Sequence, residues 1–345
     1  MSKSVLVVGC GMTGAVTAFL LSKLNPQKLM ISCWDKARGA GGRMSTSRNK
    51  ENVNQTVDLG AQYISVTPHY QHIHKKFYDD LLSTELLIPF TGLIEGSRHG
   101  EGTKNFVAPK GMNSLVKHFL SMSGANTHFN RTVKQITDIN GKWQVKTDDG
   151  LTESFDCVIM TPPVPQILQM GGDIQQLIES QPVIHNCLKN VKYSSRYALG
   201  LFFADGAEID VPWTASYVTE NPCIRYIAID NKKRGKVGGA SMVVHTSVPF
   251  GIQYLESDKD DVQPIILDHL KTLLPRLPEP SEIKCQKWRY SQVKQSYTDS
   301  PGYVELKSDP ILLCGGDAFV HSNMDGCLSS ALKIVNRFVD LFNKL

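Results

Sequence analysis

The chain has 345 residues, of which 41% are hydrophobic and 20% are charged, and its formal net charge is +4. This length suits two domains or one large interleaved pair, and the composition is ordinary for a soluble globular protein. Because there is no dense basic block beyond residues 232–234, we expect no nucleic-acid partner.

The first 35 residues carry the pattern of a dinucleotide-binding βαβ unit. A β-branched apolar run at residues 4–8 leads into the glycine motif GCGMTG at residues 9–14, and an apolar stretch at helical spacing follows over residues 15–24. A second apolar run at residues 29–34 ends in Asp35. Strand, glycine turn, helix, strand and terminal acid together predict a dinucleotide site. The alternative is a glycine-rich turn without a ligand.

The positions of this motif have separate predicted roles. Gly9 permits the tight turn out of the strand, Gly11 lets the backbone approach a pyrophosphate, and Gly14 lets helix and strand pack closely. Thr13 lies where its hydroxyl and N–H reach the pyrophosphate, at the positive end of the helix dipole. Asp35 is predicted to accept hydrogen bonds from an adenosine ribose.

The next segment, GGRMST at residues 41–46, indicates which dinucleotide the motif binds. Here the sequence resembles the flavin amine oxidase superfamily, in which a GGRxxT segment after the acidic strand end wraps FAD rather than NAD. Further segments resemble the renalase family of that superfamily, at compatible spacing and along nearly the whole chain. They are DLGAQYI at 58–64, TPHY at 67–70, SSRYALG at 194–200, NPCIR at 221–225, CQKWR at 285–289 and CGGD at 314–317.

The resemblance implies FAD as the cofactor. Arg43 is suited to bridge phosphate by its planar fork of donors. Gln62 and Tyr63 follow the small pair Gly60-Ala61, which is predicted to let the backbone approach the isoalloxazine. The full set of predicted FAD contacts is Gly9, Gly11, Thr13, Gly14, Asp35, Gly42, Arg43, Gln62, Tyr63, Val133, Asp317, Gly326 and Cys327.

The segments after the cofactor motif alternate between helical and strand patterns. Residues 69–82 have helical spacing, and their three histidines are interpreted as a solvated helix face rather than a metal site, because no cysteine or carboxylate clearly joins them. Residues 86–96 predict a strand and hairpin, and residues 112–122 a helix. Residues 128–139 and 143–147 predict a hairpin turning at Asn140-Gly141. By resemblance, Val133 in this hairpin presents backbone groups to the adenine.

The pattern changes between residues 175 and 290, where strands of mixed polarity are separated by Pro and Gly turns. A helix with an acidic first turn is predicted at residues 258–274. We therefore predict an α/β (α+β) fold with a Rossmann-type FAD-binding domain of the p-hydroxybenzoate hydroxylase/amine oxidase kind and an inserted antiparallel-sheet substrate domain. The predicted bounds are 1–64, 106–174 and 291–345 for the FAD-binding domain, and 65–105 and 175–290 for the substrate domain.

The C-terminal part of the chain is predicted to return to the cofactor. Residues 311–317 form a buried strand that ends in a glycine pair and Asp317, which by resemblance accepts a hydrogen bond from a ribityl hydroxyl. Asp325 is the predicted N-cap of the last helix. The N–H groups of Gly326 and Cys327 are predicted to face the flavin N1 and C2 carbonyl, because a helix N-terminus stabilises the negative charge of a reduced flavin.

The resemblance also implies the reaction. Renalase-like enzymes oxidise the 2- and 6-dihydro isomers of NAD(P)H, passing hydride to flavin N5, releasing β-NAD(P)+ and forming hydrogen peroxide from O2. The expected partners are therefore a dihydronicotinamide dinucleotide and O2, with no nucleic acid, no membrane and no metal, and the chain is expected to be a monomer or weak dimer. Candidates for the substrate pocket are Tyr63, Arg196, Tyr197, His245 and Trp288.

Each of these pocket candidates has a structural alternative. The aromatic side chains are as well explained by core packing, and His245 by a structural role in its apolar strand. For Arg225 and residues 232–234 there are two interpretations: they attract the phosphates of the substrate, or they form a solvated loop. A flavin monoamine oxidase and a non-enzymatic signalling ligand acting through residues 223–239 are the other functions considered.

The eight cysteines are scattered without metal-ligand spacing, and four of them lie in or beside apolar runs that predict core strands. Buried free thiols of this kind suit a reducing compartment. Because the apolar N-terminal run is interrupted by the glycine motif, it is not interpreted as a secretory signal, and a cytoplasmic protein is predicted.

Overall fold

The computed structural model describes residues 2–24, 28–97, 100–235 and 239–344. Its strands, in chain order, are β1 Lys3–Val8, β2 Leu29–Trp34, β3 Thr46–Arg48, β4 Thr56–Asp58, β5 Ile64–Val66, β6 Ile88–Pro89, β7 Ile94–Glu95, β8 Lys104–Val107, β9 Asn126–His128, β10 Val133–Ile139, β11 Lys142–Thr147, β12 Thr152–Phe155, β13 Cys157–Met160, β14 Gly171–Gly172, β15 Lys192–Phe202, β16 Ala215–Tyr217, β17 Ile224–Ile229, β18 Ser241–Thr246, β19 Glu282–Gln295, β20 Tyr303–Ser308 and β21 Ile311–Gly315. Its helices are α1 Met12–Leu24, α2 Pro68–Ile73, α3 Lys75–Ser83, α4 Asn113–Ser123, α5 Val164–Leu168, α6 Ile174–Glu179, α7 Pro182–Lys189, α8 Asp230–Lys233, α9 Val248–Gln253, α10 Lys259–Leu273 and α11 Met324–Phe342.

The chain divides into two compact units, each built from separate segments. Unit 1 comprises Met1–Gly42, Val116–Lys192 and Val293–Leu345, and unit 2 comprises Arg43–Leu115 and Tyr193–Gln292. Residues 43–64 and 106–115 thus lie in unit 2, whereas the sequence analysis assigned them to the cofactor domain. The assignment of functions to the two domains stays a prediction.

The main sheet of unit 1 has the strand order β20-β21-β13-β1-β2-β9. All neighbours pair in parallel except β20, which is antiparallel to β21. Strands β1, β13 and β21 are nearly continuous apolar runs with almost no exposed surface, as expected where both faces of a parallel sheet are covered. The order of strands and the glycine turn between β1 and α1 confirm the predicted Rossmann-type fold.

A second, smaller sheet of unit 1 has the order β12-β11-β10-β14. Its hairpin turns at Asn140 and Gly141, which both have positive φ angles of 55° and 77°. Two positive φ values are what a tight two-residue hairpin turn requires, so the predicted turn is confirmed. Trp143 of β11 is fully buried and donates a hydrogen bond from Nε1 to the carbonyl of Ile311, which ties this sheet to β21.

Unit 2 is organised around the six-stranded sheet β19-β15-β18-β17-β16-β7. The pairs β15–β18, β17–β18 and β16–β17 are antiparallel, while β7 is parallel to β16. One face packs residues of β15, β17 and β18 against α9 and α10 in an apolar core. The other face carries a smaller cluster that includes Val57, Leu59 and Tyr226. This second face is called the aromatic face below.

One local prediction is wrong, and another is confirmed with a break in the helix. Residues 86–96 form no hairpin, because β6 pairs with β8 whereas β7 pairs with β16 of another sheet. The helical stretch at 69–82 is two helices, α2 and α3, with a break at His74, whose φ and ψ of −105° and 20° leave the helical region. No helix in the described ranges is long and apolar enough to span a membrane.

Candidate active site

The carboxyl ends of the parallel strands in unit 1 bring together residues that are far apart in sequence. Gly9 follows β1, Asp35 follows β2, Thr161 follows β13 and Gly316 follows β21. Ligands of open α/β sheets bind at this edge, because the loops after the strands meet there. Thr161 was not identified from the sequence, yet its hydroxyl donates to the carbonyl of Val8 at 2.9 Å and lies against Gly9.

The glycine motif has the geometry that its spacing predicts. Gly9 has a φ of 104°, which favours glycine, and a Cβ on Gly14 would lie 1.9 Å from the carbonyl oxygen of Gly9. Both positions therefore require the absence of a side chain if α1 is to follow β1 at this distance. A Cβ on Gly11 would meet no atom within 4 Å. Gly11 thus leaves open space beside the first turn of α1, as a pyrophosphate cradle requires.

The second glycine segment lies against the first. The backbone N–H of Gly41 donates to the carbonyl of Cys10 at 3.0 Å. A Cβ on Gly42, whose φ is 54°, would lie 3.4 Å from the Cα of Gly11. The segment after β2 therefore folds back onto the glycine motif. Thr13 is buried in the first turn of α1, beside the same motif.

Asp35 is held in place by two backbone donors. The N–H of Cys10 donates to Oδ2 at 2.6 Å, and the N–H of Ala37 donates to Oδ1 at 2.7 Å. The side chain is only half-buried, and each carboxylate oxygen keeps a further lone pair for another donor. This arrangement fits the predicted role toward a ribose hydroxyl.

The segment after β21 also places an acid at the strand ends. Gly316 has a φ of 139° and donates its N–H to Ser330 at 2.8 Å, and Asp317 follows in a buried 3-10 turn. One oxygen of Asp317 accepts a hydrogen bond from the hydroxyl of Ser322 at 3.2 Å. Val133 is buried at the start of β10. The contacts of Asp317 and Val133 with a cofactor stay predictions.

The start of the last helix corrects the sequence analysis. Helix α11 begins at Met324, and its N-cap is Asn323 rather than Asp325. Asn323 has extended backbone angles, and its Oδ1 accepts the N–H of Gly326 at 2.8 Å, while its carbonyl accepts the N–H of Cys327 at 3.3 Å. The two N–H groups predicted to face the flavin are therefore already hydrogen-bonded to the cap. Asn and Asp are equally good caps, so composition alone did not choose between them.

The predicted contacts Arg43, Gln62 and Tyr63 lie in unit 2. A Cβ on Gly60 would lie 1.8 Å from the carbonyl oxygen of Arg43, which accepts the N–H of Ala61 at 2.9 Å. Gly60 is thus required by close packing of two backbone segments. The amide of Gln62 donates to the carbonyls of Asp58 and Gly60 at 2.6 and 2.9 Å, so its side chain fixes this loop.

A buried network of four charges lies behind this loop. Lys233 Nζ is 3.2 Å from Asp58 and 2.6 Å from Asp230, and Arg234 is 2.6 Å from each of the same carboxylates. Burial alone would raise the pKa of Asp58. The positive charges of Lys233 and Arg234 outweigh this effect, so the pKa of Asp58 lies below its usual value. Lys233 also donates to Gln62 Oε1 at 3.1 Å.

This network overturns both interpretations for Lys233 and Arg234, whereas Lys232 is exposed. Lys233 and Arg234 are 4% exposed, so they form neither a solvated loop nor a surface that attracts phosphate. Their partner Asp58 also accepts hydrogen bonds from Thr46 Oγ1 at 2.6 Å and from the N–H of Met112 at 2.9 Å. The network therefore joins three separate segments of unit 2.

The aromatic face of unit 2 gathers three of the predicted pocket residues. The carbonyl of Leu59 is 2.9 Å from Trp288 Nε1, which donates to it, and 3.1 Å from His245 Nε2. The hydroxyls of Tyr63 and Tyr217 are 2.5 Å apart. Burial, followed by contact with Tyr217, raises the pKa of Tyr63 well above its ordinary value, so the Tyr63 phenol stays neutral. Tyr217 was not identified from the sequence.

The two other candidates separate because side chains alternate along β15. Tyr197 is fully buried in the core beside α9, where its hydroxyl donates to the carbonyl of Tyr254 at 2.8 Å. Tyr197 therefore packs in the core and does not line the aromatic face. Arg196, one residue earlier, lies on the opposite side of the strand and donates from Nη1 to the carbonyl of Thr246 at 2.9 Å.

His245 is expected to make stability depend on pH. Burial, and then the charge of Arg196, lower its pKa to about 4. In the unfolded chain a histidine titrates near 6.5, so the unfolded state binds the extra proton as the pH falls from about 6.5 to 4. The free energy of unfolding should therefore decrease by about 2 kcal/mol over this interval.

The matched variant is His245→Gln, which keeps an N–H donor for Leu59 but has no proton to gain. Urea denaturation between pH 4 and 7 should show that the wild type loses more stability than the variant toward pH 4. Parallel pH profiles for the two proteins would contradict a neutral His245.

The remaining titratable side chains of the described residues indicate neither a metal site nor a reactive thiol. Within the described ranges, no group of three or more His, Cys, Asp or Glu side chains is placed to hold a metal ion. All eight cysteines are free thiols, and burial raises the pKa of Cys33, Cys157 and Cys223 to about 12. These thiols are protonated core side chains at neutral pH.

Comparisons with known proteins agree with this architecture. The family described as flavin containing amine oxidoreductase matches residues 77–337, and the NAD(P)-binding Rossmann-like domain matches residues 7–81. The crystal structure of a putative protoporphyrinogen oxidase from Exiguobacterium sp. 255-15 superimposes with a TM-score of 0.74 over 98% of this chain and 99% of that chain, at 13% identity. That similarity concerns the fold alone.

A curated relative from mouse, named renalase, is 48% identical over 341 residues, which is 97% of this chain and 99% of the relative. The predicted resemblance is thus confirmed over almost the full length. The glycine motif, the open space at Gly11 and the fixed carboxylate of Asp35 fit the dinucleotide part of a flavin cofactor. The chain therefore belongs to the renalase family of flavin-containing amine oxidoreductases, and its cofactor is FAD.

Proposed function

We propose that this flavin oxidoreductase oxidises the 2- and 6-dihydro isomers of NAD(P)H to β-NAD(P)+ and forms hydrogen peroxide from O2. Membership of the renalase family supports this substrate class. The observation that carries the proposal is the aromatic face, where Tyr63, Tyr217 and Trp288 together offer flat aromatic surface.

The reaction needs little acid–base chemistry from the protein. A dihydropyridine that loses hydride becomes an aromatic pyridinium, so no proton has to be removed in that step. The side chains on the aromatic face fit this requirement, because His245 is neutral and bonded to Leu59, and the pKa of Tyr63 is raised. Neither group is tuned to a pKa near neutrality, as a general base would be.

FAD, when bound, supplies the hydride acceptor at N5 and the electrons that reduce O2. The chain's own task is to bind and position. Asp35 and the first turn of α1 are proposed to hold the adenosine and pyrophosphate parts. The aromatic face is proposed to hold the nicotinamide ring by stacking.

A flavin monoamine oxidase is the second candidate. The contact between the hydroxyls of Tyr63 and Tyr217 favours it, since paired tyrosines suit a cage for a neutral amine. Against it, residues 318–323 after Asp317 contain no tyrosine, although such a cage is expected to draw one from the stretch before the last helix.

The cytoplasmic location and the monomeric or weakly dimeric state stay predictions.

A non-enzymatic role through residues 223–239 is separable by experiment. Residues 236–238 of that segment lie outside the described residues. Within the described part, Ile224–Ile229 is a sheet strand and Lys233 and Arg234 belong to the buried charge network. Substitution of Arg43 or Asp317 is proposed to weaken FAD binding, and a signalling role should survive that loss.

Anaerobic stopped-flow spectroscopy of the FAD-loaded protein tests the proposal. Mixing with 6-dihydro-NAD should bleach the oxidised flavin band rapidly, while a catecholamine at equal concentration should leave it unchanged. Bleaching by the amine alone would replace the proposal with the monoamine oxidase. If neither compound bleaches the flavin, the proposed substrate class is wrong.

A further inference from the structure

Two arginines lie on neighbouring parts of the unit 2 sheet. Arg196 belongs to β15 and Arg225 to β17, and both strands pair with β18 between them. The ladder partners are Ala198 with His245 on one side of β18 and Tyr226 with His245 on the other. The two arginines therefore flank the same end of β18.

Both side chains are assigned to the aromatic face. Ala198 and Tyr226 belong to the cluster on that face. Arg196 lies two residues before Ala198, and side chains two apart on a strand point the same way. The register of β17 against β18 shifts between Ile224 and Tyr226, which leaves Arg225 without a ladder partner on β18, as in a β-bulge. Bulges re-aim a side chain, and in the common type the two residues of the bulge share a face.

The hydrogen bonds leave most donors of the two guanidinium groups available. Arg196 donates to the carbonyl of Thr246 at 2.9 Å, and Arg225 donates from Nη1 to the carbonyl of Val218 at 3.0 Å. These carbonyl contacts orient each planar fork. A guanidinium carries five donors, so several remain on each side chain.

No carboxylate balances these two charges within the part of the chain that the structure describes. The ion pairs of unit 2 involve other cations, including Lys233, Arg234 and Arg289. Burial and the charge of Arg225 lower the pKa of Arg196, and Arg196 in turn lowers the pKa of His245. Two arginines that raise the local positive potential, with no acid beside them, are suited to hold an anion.

We propose that Arg196 and Arg225 form an anion site that binds a phosphate group of the dinucleotide substrate. The proposal rests on the proposed function, because that function supplies the phosphate-bearing ligand. Arg196 is half-buried and fixed against β18, whereas Arg225 is exposed. Arg225 is therefore the outer contact, and Arg196 the inner, oriented one. Bidentate geometry makes arginine preferable to lysine at such a site.

Isothermal titration of the FAD-loaded protein measures this binding without turnover. The ligands are inorganic pyrophosphate, nicotinamide mononucleotide, β-NAD+, β-NADP+ and nicotinamide riboside, which has no phosphate. Arg225→Gln should weaken binding of the responsible phosphate by about tenfold, as loss of one charge-assisted hydrogen-bonded contact predicts. Equal weakening for the mononucleotide, β-NAD+ and β-NADP+ assigns the site to the phosphate next to the nicotinamide ribose. Weakening for β-NADP+ alone assigns it to the 2′-phosphate.

Matched variants test whether a change in affinity is specific to the two arginines and to phosphate-bearing ligands. Arg276→Gln removes an 87% exposed arginine side chain of the same unit and should leave every affinity unchanged. Arg196→Gln and Arg196→Lys should both weaken phosphate ligands, and Arg196→Lys keeps the positive charge if the glutamine variant does not fold. Nicotinamide riboside should bind all variants alike.

The proposal is overturned if Arg225→Gln and Arg196→Lys bind all phosphate ligands as tightly as the wild type does. It is also overturned if the riboside weakens as much as the phosphate ligands. Failure of the proposed function gives a different result. In that case pyrophosphate still binds in an arginine-dependent way, while 6-dihydro-NAD does not bleach the flavin, and only the identity of the phosphate-bearing ligand changes.

Discussion

Asp58→Asn is expected to lower the free energy of unfolding by about 3–5 kcal/mol, because it leaves buried positive charge without its partner. Asp58 is 0% exposed and contacts both Lys233 and Arg234. The asparagine Oδ1 can still accept hydrogen bonds from Thr46 and Met112. Its NH2 group then faces Lys233 and Arg234, so the variant removes both the negative charge and the acceptor at Oδ2. Urea denaturation at neutral pH measures the loss.

The control for this prediction is an exposed ion pair of the same unit. Lys75 and Asp79 are in contact at i and i+4 on α3, with side chains 68% and 56% exposed. Asp79→Asn should change stability by at most about 0.5 kcal/mol, because solvent screens such pairs. Similar effects of Asp58→Asn and Asp79→Asn would show that the buried network does not stabilise unit 2.

Gly14→Ala is expected to reduce the yellow colour of the purified protein. The new Cβ would lie 1.9 Å from the carbonyl oxygen of Gly9 and 3.1 Å from Thr161 Oγ1, so α1 must move away from β1. Overpacking of this kind costs about 1–3 kcal/mol, which weakens FAD binding about 5- to 150-fold if the pyrophosphate cradle moves with the helix. The ratio of visible flavin absorbance to protein absorbance measures bound FAD.

Two further glycine variants separate misfolding from loss of the ligand. A Cβ on Gly11 or on Gly39 would meet no atom within 4 Å, so neither variant should alter the melting temperature of the apoprotein. Gly11→Ala should nevertheless weaken FAD binding, because its methyl group occupies the proposed pyrophosphate cradle, whereas Gly39→Ala should not. Normal FAD content in Gly11→Ala would contradict the assigned position of the pyrophosphate.

Features that depend only on residues close together in the sequence were predictable from the sequence. The strand, glycine turn and helix at the N-terminus occur as predicted, and so do the Asn140-Gly141 turn and the helix α10 with its acidic first turn. The physical reason is that φ preferences, capping and apolar periodicity act within a few residues. The same local signals led to the wrong N-cap, Asp325 instead of Asn323, because both residue types cap well.

The sequence by itself therefore determined the fold class, the FAD motif and the family resemblance of this protein. Only the tertiary structure showed that Lys233 contacts Asp58, 175 residues away, and that Trp288 reaches the carbonyl of Leu59, 229 residues away. It also placed Tyr197 in the core and Arg196 on the other side of the strand. Such partners are chosen by strand register and by the requirement that buried charges and polar groups be satisfied, and neither is encoded in local spacing.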